Sequence, residues 1–235
     1  MEFLKRKNFY QTITIFIWLL FLFIIESTGN LKIYIKKNYI SFTILGSFIL
    51  LFLFLIKIKR FKKELPEKID FLSTLSFLIF LFPVILAIVV KPGNLPTFAA
   101  SKRGITQEFL GKDLLETLKT ELETEGKYKK LNIKQLLAFA KNKPEEIDNK
   151  LVSVVGFVFK QNGEKDKFTL VRFLITCCAA DAIPLGIEVV YDQTEQLKQD
   201  TWVKVYGNCV VEKNKPKIIA EDVKEEQKPS DFYLY

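Results

Sequence analysis

Hydrophobic and polar positions divide the chain into two regimes. Three uncharged apolar runs open it: Phe9 to Ile25 (17 residues), Tyr39 to Ile56 (18) and Phe71 to Val90 (20). At helical rise these reach about 25 to 30 Å, close to the hydrocarbon thickness of a bilayer. They are apolar on every face, whereas a helix resting on a water-soluble core carries a polar stripe. Three membrane spans over residues 1–90 are therefore expected, with Pro83 kinking the third. The basic residues Lys5, Arg6 and Lys7 before the first run would also suit a cleaved leader. Glu26-Ser27-Thr28-Gly29 after it offers no small-residue cleavage pattern, and two further spans follow, so retention is expected.

Beyond residue 90 the period changes. Pro92, Gly93 and Pro96 break any helix and mark a linker, so 91–149 reads as linker plus short helices. Phe109, Leu110, Leu114, Leu115 and Leu118 recur on one helical face between Thr106 and Glu125. Asn132 to Lys143 predicts a second helix, with Asn132 as its cap, Gln135 three residues on, and Pro144 as its stop. Alternation then predicts five strands: Leu151 to Lys160, Phe168 to Cys177, Gly186 to Tyr191, Trp202 to Val211 and Pro216 to Val223. Gly156 and Gly207 sit where a small closed sheet bends. The fold class expected is thus a three-span α-helical membrane region followed by a mostly β domain, an OB-like five-stranded barrel over 150–228, with a tail at 229–235.

Charge and composition narrow the function. The chain contains no histidine, which removes Ser-His-Asp and Cys-His catalysis and imidazole-bound zinc or haem. A non-enzymatic role follows as the expectation. Residues 1–90 hold 12 Lys and Arg against 5 Asp and Glu, while the remainder nets only +1. A phosphate-binding face needs clustered cations, so no nucleic-acid partner is expected despite the aromatic residues Phe157, Phe159, Tyr191 and Tyr206. Lys57, Lys59, Arg60, Lys62, Lys63 and Lys68 make the second loop the most basic flank. That loop shares a side with the N-terminus, so both are expected to be cytoplasmic and the β domain extracytoplasmic in a multi-pass inner-membrane protein. No Asp, Glu, Lys or Arg lies inside the three apolar runs, which suits an anchor or subunit better than a whole transporter.

The most unusual stretch is Arg172-Phe173-Leu174-Ile175-Thr176-Cys177-Cys178-Ala179-Ala180-Asp181-Ala182-Ile183-Pro184-Leu185-Gly186. With the strand before it and Trp202 to Gly207 after it, it resembles the YcgQ-like family of small membrane proteins regarded as permease subunits. The resemblance covers roughly residues 133–223, and the three-span start in organisation only. It implies a larger polytopic membrane permease as partner, beside the lipid bilayer, and it marks Arg172, Phe173, Cys177, Cys178, Asp181, Pro184, Gly186, Trp202 and Gly207 as motif positions. It assigns no substrate or reaction.

The thiols have three readings on the residues alone. If Arg172 and Thr176 face outward and strand alternation runs through to Cys177, then Cys177 and Cys209 both face inward and could meet in the barrel, as packed thiols or as a disulfide, leaving Cys178 on the outer side with Arg172. Alternatively Cys177, Cys178, Asp181 and Cys209 could hold a divalent metal ion as the chain's cofactor, provided the backbone leaves strand geometry near Cys178. Thirdly, Cys178 could exchange thiols as part of an envelope redox protein. Asp181 also suits a backbone cap in the turn before Pro184, or an ion pair with Arg172. The leading expectation is a permease accessory subunit whose β domain docks on or gates its partner, with metal binding or delivery and thiol redox as alternatives.

Overall fold

The computed structural model describes residues 7–61, 71–89, 96–107, 123–161, 165–229 and 231–235. They form two compact units. One comprises Met1–Asn94 together with Cys177–Ala180, and the other Leu95–Thr176 together with Asp181–Tyr235.

The first unit is built on helices α1 (Lys7–Ser27), α2 (Ile40–Phe61) and α3 (Phe71–Val89), each long and apolar enough to cross a membrane. Their large side chains point outward: Phe23, Phe42, Phe52, Phe71 and Ile88 are all exposed. In water such surfaces would aggregate, and in lipid they are the solvated ones. α1 packs against both of its neighbours. Tyr10 meets Phe77 edge-on at 5.1 Å, and the Trp18 indole Nε1 donates to the Phe80 carbonyl at 3.0 Å, one residue past the carbonyl whose usual donor Pro83 lacks. α1 also continues past its apolar run, so Glu26 lies within the helix and accepts a hydrogen bond from Ser47 of α2 at 2.9 Å.

The second unit contains α4 (Pro96–Arg103), strands β1 (Glu123–Glu125) and β2 (Tyr128–Leu131), helix α5 (Ile133–Asn142), and strands β3 (Lys150–Phe159), β4 (Lys167–Leu174), β5 (Ile183–Val190), β6 (Trp202–Glu212), β7 (Lys215–Glu225) and β8 (Tyr233–Leu234). β3 pairs antiparallel with both β4 and β6; β6 continues to β7, β7 runs parallel to β5, and β5 returns to β4. Those pairings close a five-stranded barrel of OB-type connectivity, preceded by helices, in agreement with the alternation in the sequence. The barrel interior is filled by Val152, Val154, Leu170, Ile187, Val205 and Ile218, with α5 contributing Ile133, Leu136 and Phe139. The Asn132 cap is realised in full: its side chain accepts from Gln135 N–H and its own N–H donates to the Gln135 side chain, both at 2.9 Å.

Several boundaries differ from expectation. Pro96 opens helix α4 instead of closing a linker, because proline fits the first helical turn where no donor is needed. The expected helix from Thr106 to Glu125 falls mostly outside the described residues, and its last residues, Glu123–Glu125, are strand paired with β2. The stretch 229–235 is more than a tail: β8 lies parallel to β4 and buries Leu234. β4 ends at Leu174, three residues before Cys177.

Candidate functional site

The motif positions divide into a packing set and an open loop. On β4, Phe168 and Leu170 enter the main core, while Val171 packs with Ala100, Phe157 and Phe159 in a second cluster joined by Phe173, Ile105 and Trp202. Both faces of this strand are covered. Arg172 is accordingly buried rather than solvent-facing, which corrects the expected alternation. Its guanidinium donates to the Asp231 main-chain carbonyl and lies over the Trp202 ring at 5.8 Å, while its Nε has no hydrogen-bond partner among the described residues. Burial pushes the guanidinium down to about 10, against the pull of Asp231 and Tyr235. Asp231 thus takes the role of partner that Asp181 was expected to fill.

Two motif glycines answer to close approach. A Cβ on Gly186 would collide with Ile105 and with the Thr169 methyl, the latter at 2.7 Å. A Cβ on Gly207 would strike the β7 backbone, at the register shift between Tyr206 and Gly207. Pro184 sits in β5 opposite Phe173, and its carbonyl accepts from Thr106 N–H at 3.0 Å. Trp202 packs edge-on to Phe157 at 5.9 Å. Phe157 and Phe159 are buried and present no stacking surface, whereas Tyr206 packs its ring on Tyr128 at 5.0 Å.

The remaining motif residues lie in the loop 175–182. Ile175 N–H leaves the β4–β5 ladder for the Leu234 carbonyl, at 3.0 Å. Thr176 N–H donates to the Asp181 carboxylate at 2.9 Å, across a short 3₁₀ turn at Ala179–Asp181. Asp181 therefore does cap the turn. With the backbone out of strand geometry, the adjacent cysteines no longer point apart: their Sγ atoms are 3.6 Å from each other, and neither is in a disulfide. Cys177 is exposed and Cys178 half-buried. A ligand atom from each of Cys177, Cys178 and Asp181 falls within 4.8 Å of the others.

Cys209 is a different kind of thiol. It is fully buried in the barrel core, and burial, with Asp148 nearby, pushes it up to about 12. It does not belong to the Cys177–Cys178–Asp181 group. The expected inward pairing of Cys177 with Cys209 is thereby corrected, since the alternation it relied on stops at Leu174.

Within the helical unit, the cysteine loop is held at its backbone. Lys36 N–H donates to the Cys177 carbonyl at 3.0 Å and Ala179 N–H to the Tyr34 carbonyl at 2.8 Å, making an antiparallel bridge between Ile35 and Cys178. No pattern in the residues marks this bridge, because single-residue pairing leaves no periodic trace. A second cluster missed by sequence reading joins Glu125, Lys204, Tyr206 and Ser153. Lys204 Nζ donates to Glu125 Oε1 at 2.7 Å, and this bond, ahead of the opposing effect of burial, holds the Glu125 carboxyl below its usual range.

Comparison with known proteins also divides the chain in two, with α4 on the N-terminal side of the boundary. The DUF1980 N-terminal domain matches residues 10–106 and the DUF1980 C-terminal domain residues 115–235. The chain belongs to the DUF1980 family. A relative from Streptococcus mutans serotype c (strain ATCC 700610 / UA159), named "Putative two-component membrane permease complex subunit", is 29% identical over 98 residues, covering 39% of this chain and 36% of the relative. The match thus spans about a third of that protein's length. Among solved structures, the Stn1–Ten1 complex of S. pombe matches at 15% identity and a TM-score of 0.24, over 34% of this chain and 61% of that one.

Proposed function

We propose that this DUF1980 chain is a non-catalytic, membrane-anchored accessory subunit of a permease, with its barrel on the extracytoplasmic side to dock on or gate a larger polytopic partner. The observation that carries the reading is the outward address of the apolar side chains on α1, α2 and α3. Three helices covered in lipid-solvated Phe, Leu and Ile anchor a protein, and their cores hold no row of charges with which to conduct an ion. The name of the S. mutans relative points the same way. Within the family, we place the chain with the YcgQ-like small membrane proteins.

Orientation rests on the basic second loop. Lys59 and Arg60 close α2, and more lysines follow, so that end belongs on the cytoplasmic side. Three spans then put the barrel outside. The test is isolation of the tagged full chain from native membranes in mild detergent, followed by mass spectrometry. A polytopic membrane protein should co-purify in fixed ratio. Saturable solute transport by the chain reconstituted alone would overturn the accessory role. In a cysteine-free background, Gln161→Cys should react with an impermeant maleimide in intact cells; reaction only after the membrane is opened would reverse the orientation.

A further inference from the structure

We infer that the loop Thr176–Asp181 is a binding site for a single soft divalent cation of the zinc and cadmium class, held by the Cys177 and Cys178 sulfurs and the Asp181 carboxylate. This goes beyond the accessory-subunit reading and does not depend on it.

The bite of the ligands is the first ground. Two thiolates on one tetrahedral zinc, each at about 2.3 Å, sit about 3.8 Å apart, and a carboxylate oxygen at about 2.0 Å lies about 3.5 Å from each sulfur. The two sulfurs are 3.6 Å apart, and all three ligand atoms lie within 4.8 Å of one another. The spacing is too long for a disulfide and close to that of a shared metal.

Preorganisation is the second ground. The Thr176 N–H fixes one oxygen of Asp181, the kind of outer-shell bond that orients a ligating carboxylate. Access is the third, since Cys177 is exposed while Cys178 and Asp181 are half-buried, so an ion can enter from solvent. Two thiolates and a carboxylate carry three negative charges, and a soft cation matches sulfur better than Mg²⁺ or Ca²⁺ would. Three protein ligands leave a fourth tetrahedral position for water or for a ligand brought by a partner. Each ion bound displaces the protons of the two thiols into solvent.

The test uses the reduced full chain in detergent, purified without a histidine tag because the chain itself has no imidazole to compete. Cd²⁺ is titrated while the ultraviolet thiolate charge-transfer band and proton release are followed, and Zn²⁺ is measured by competition. One ion per chain with about two protons released at neutral pH is expected. Cys177→Ser and Cys178→Ser should each abolish the band, Asp181→Asn should weaken binding by about tenfold or more, and Cys209→Ala should leave it unchanged. Circular dichroism and the melting curve confirm that each variant is folded, with Cys178→Ala standing in if the serine variant is not. Full binding by either serine variant, loss of binding in Cys209→Ala, or no binding by a chain whose two accessible thiols titrate as free would each overturn the inference.

Discussion

The helical unit and the barrel use the same residue types in opposite ways. Phe52 on α2 is 64% exposed and Phe23 on α1 68%, whereas Phe157 and Phe168 in the barrel are each 1% exposed. An apolar side chain does not seek the inside of a protein as such; it seeks the less polar of the media on offer. For the barrel that medium is its own core, and for the helices it is hydrocarbon. Packing density is therefore worth much in the barrel and little on the outer faces of the helices, while charge is costly in both.

The sharpest way to break this contrast is truncation in the barrel. Phe157 packs stacked on Phe173 at 5.7 Å and edge-on to Trp202. Phe157→Ala should cost about 3 to 5 kcal/mol, read from denaturant unfolding followed by Trp202 fluorescence in a Trp18→Phe background. The same truncation at Phe52 should leave the barrel transition in place.

Charging the helix surface tests the other half. Phe52→Lys should raise the cost of inserting α2 by about 2.5 to 3.5 kcal/mol, seen as a fall in the carbonate-resistant membrane fraction. An unchanged fraction would mean that this face looks at water or at protein.

A smaller effect separates the two thiol environments. The Cys209 thiol is pushed up from 9.0 to about 12. Its folded pKa exceeds its unfolded one, so the associated stability is complete below about pH 9 and declines as pH climbs toward about 12, by about 1.4 kcal/mol per pH unit. The difference between wild type and Cys209→Ala, measured across about pH 9 to 11, should show this slope. Neutral-pH alkylation of the folded chain should modify Cys177 and Cys178 and spare Cys209.

Much of this contrast was legible in the residues. The three spans follow from uninterrupted apolar runs, α5 from Asn132, Gln135 and Pro144, and the five barrel strands from alternation bounded by turns. The failures have local causes. β4 reads as though it should continue through Ile175 to Cys177, yet the Leu234 carbonyl takes the Ile175 N–H and the Asp181 carboxylate takes that of Thr176. Hydrogen bonds from outside the ladder end the strand, and no hydropathy pattern reports them. Arg172 misled because α4 and Ile105 cover the face opposite the core, so polarity along β4 no longer marks a solvent side. At the cysteines, sequence supplied four candidate ligands, and only the turn at Ala179–Asp181 brings Cys177, Cys178 and Asp181 together without Cys209.

The pairing of β3 bears on how the protein is made. This strand contacts β4, whose hairpin forms locally, but its other barrel partner is β6, which begins only at Trp202. At elongation rates of about 5 to 20 residues per second, the ribosome delivers that partner several seconds after β3 is complete. During the interval the membrane helices are already synthesised, and the nascent chain is tethered at the bilayer with one edge of β3 open. An open edge is a template for another chain, so the interval before β6 emerges is when β3 is most open to pairing with a wrong partner.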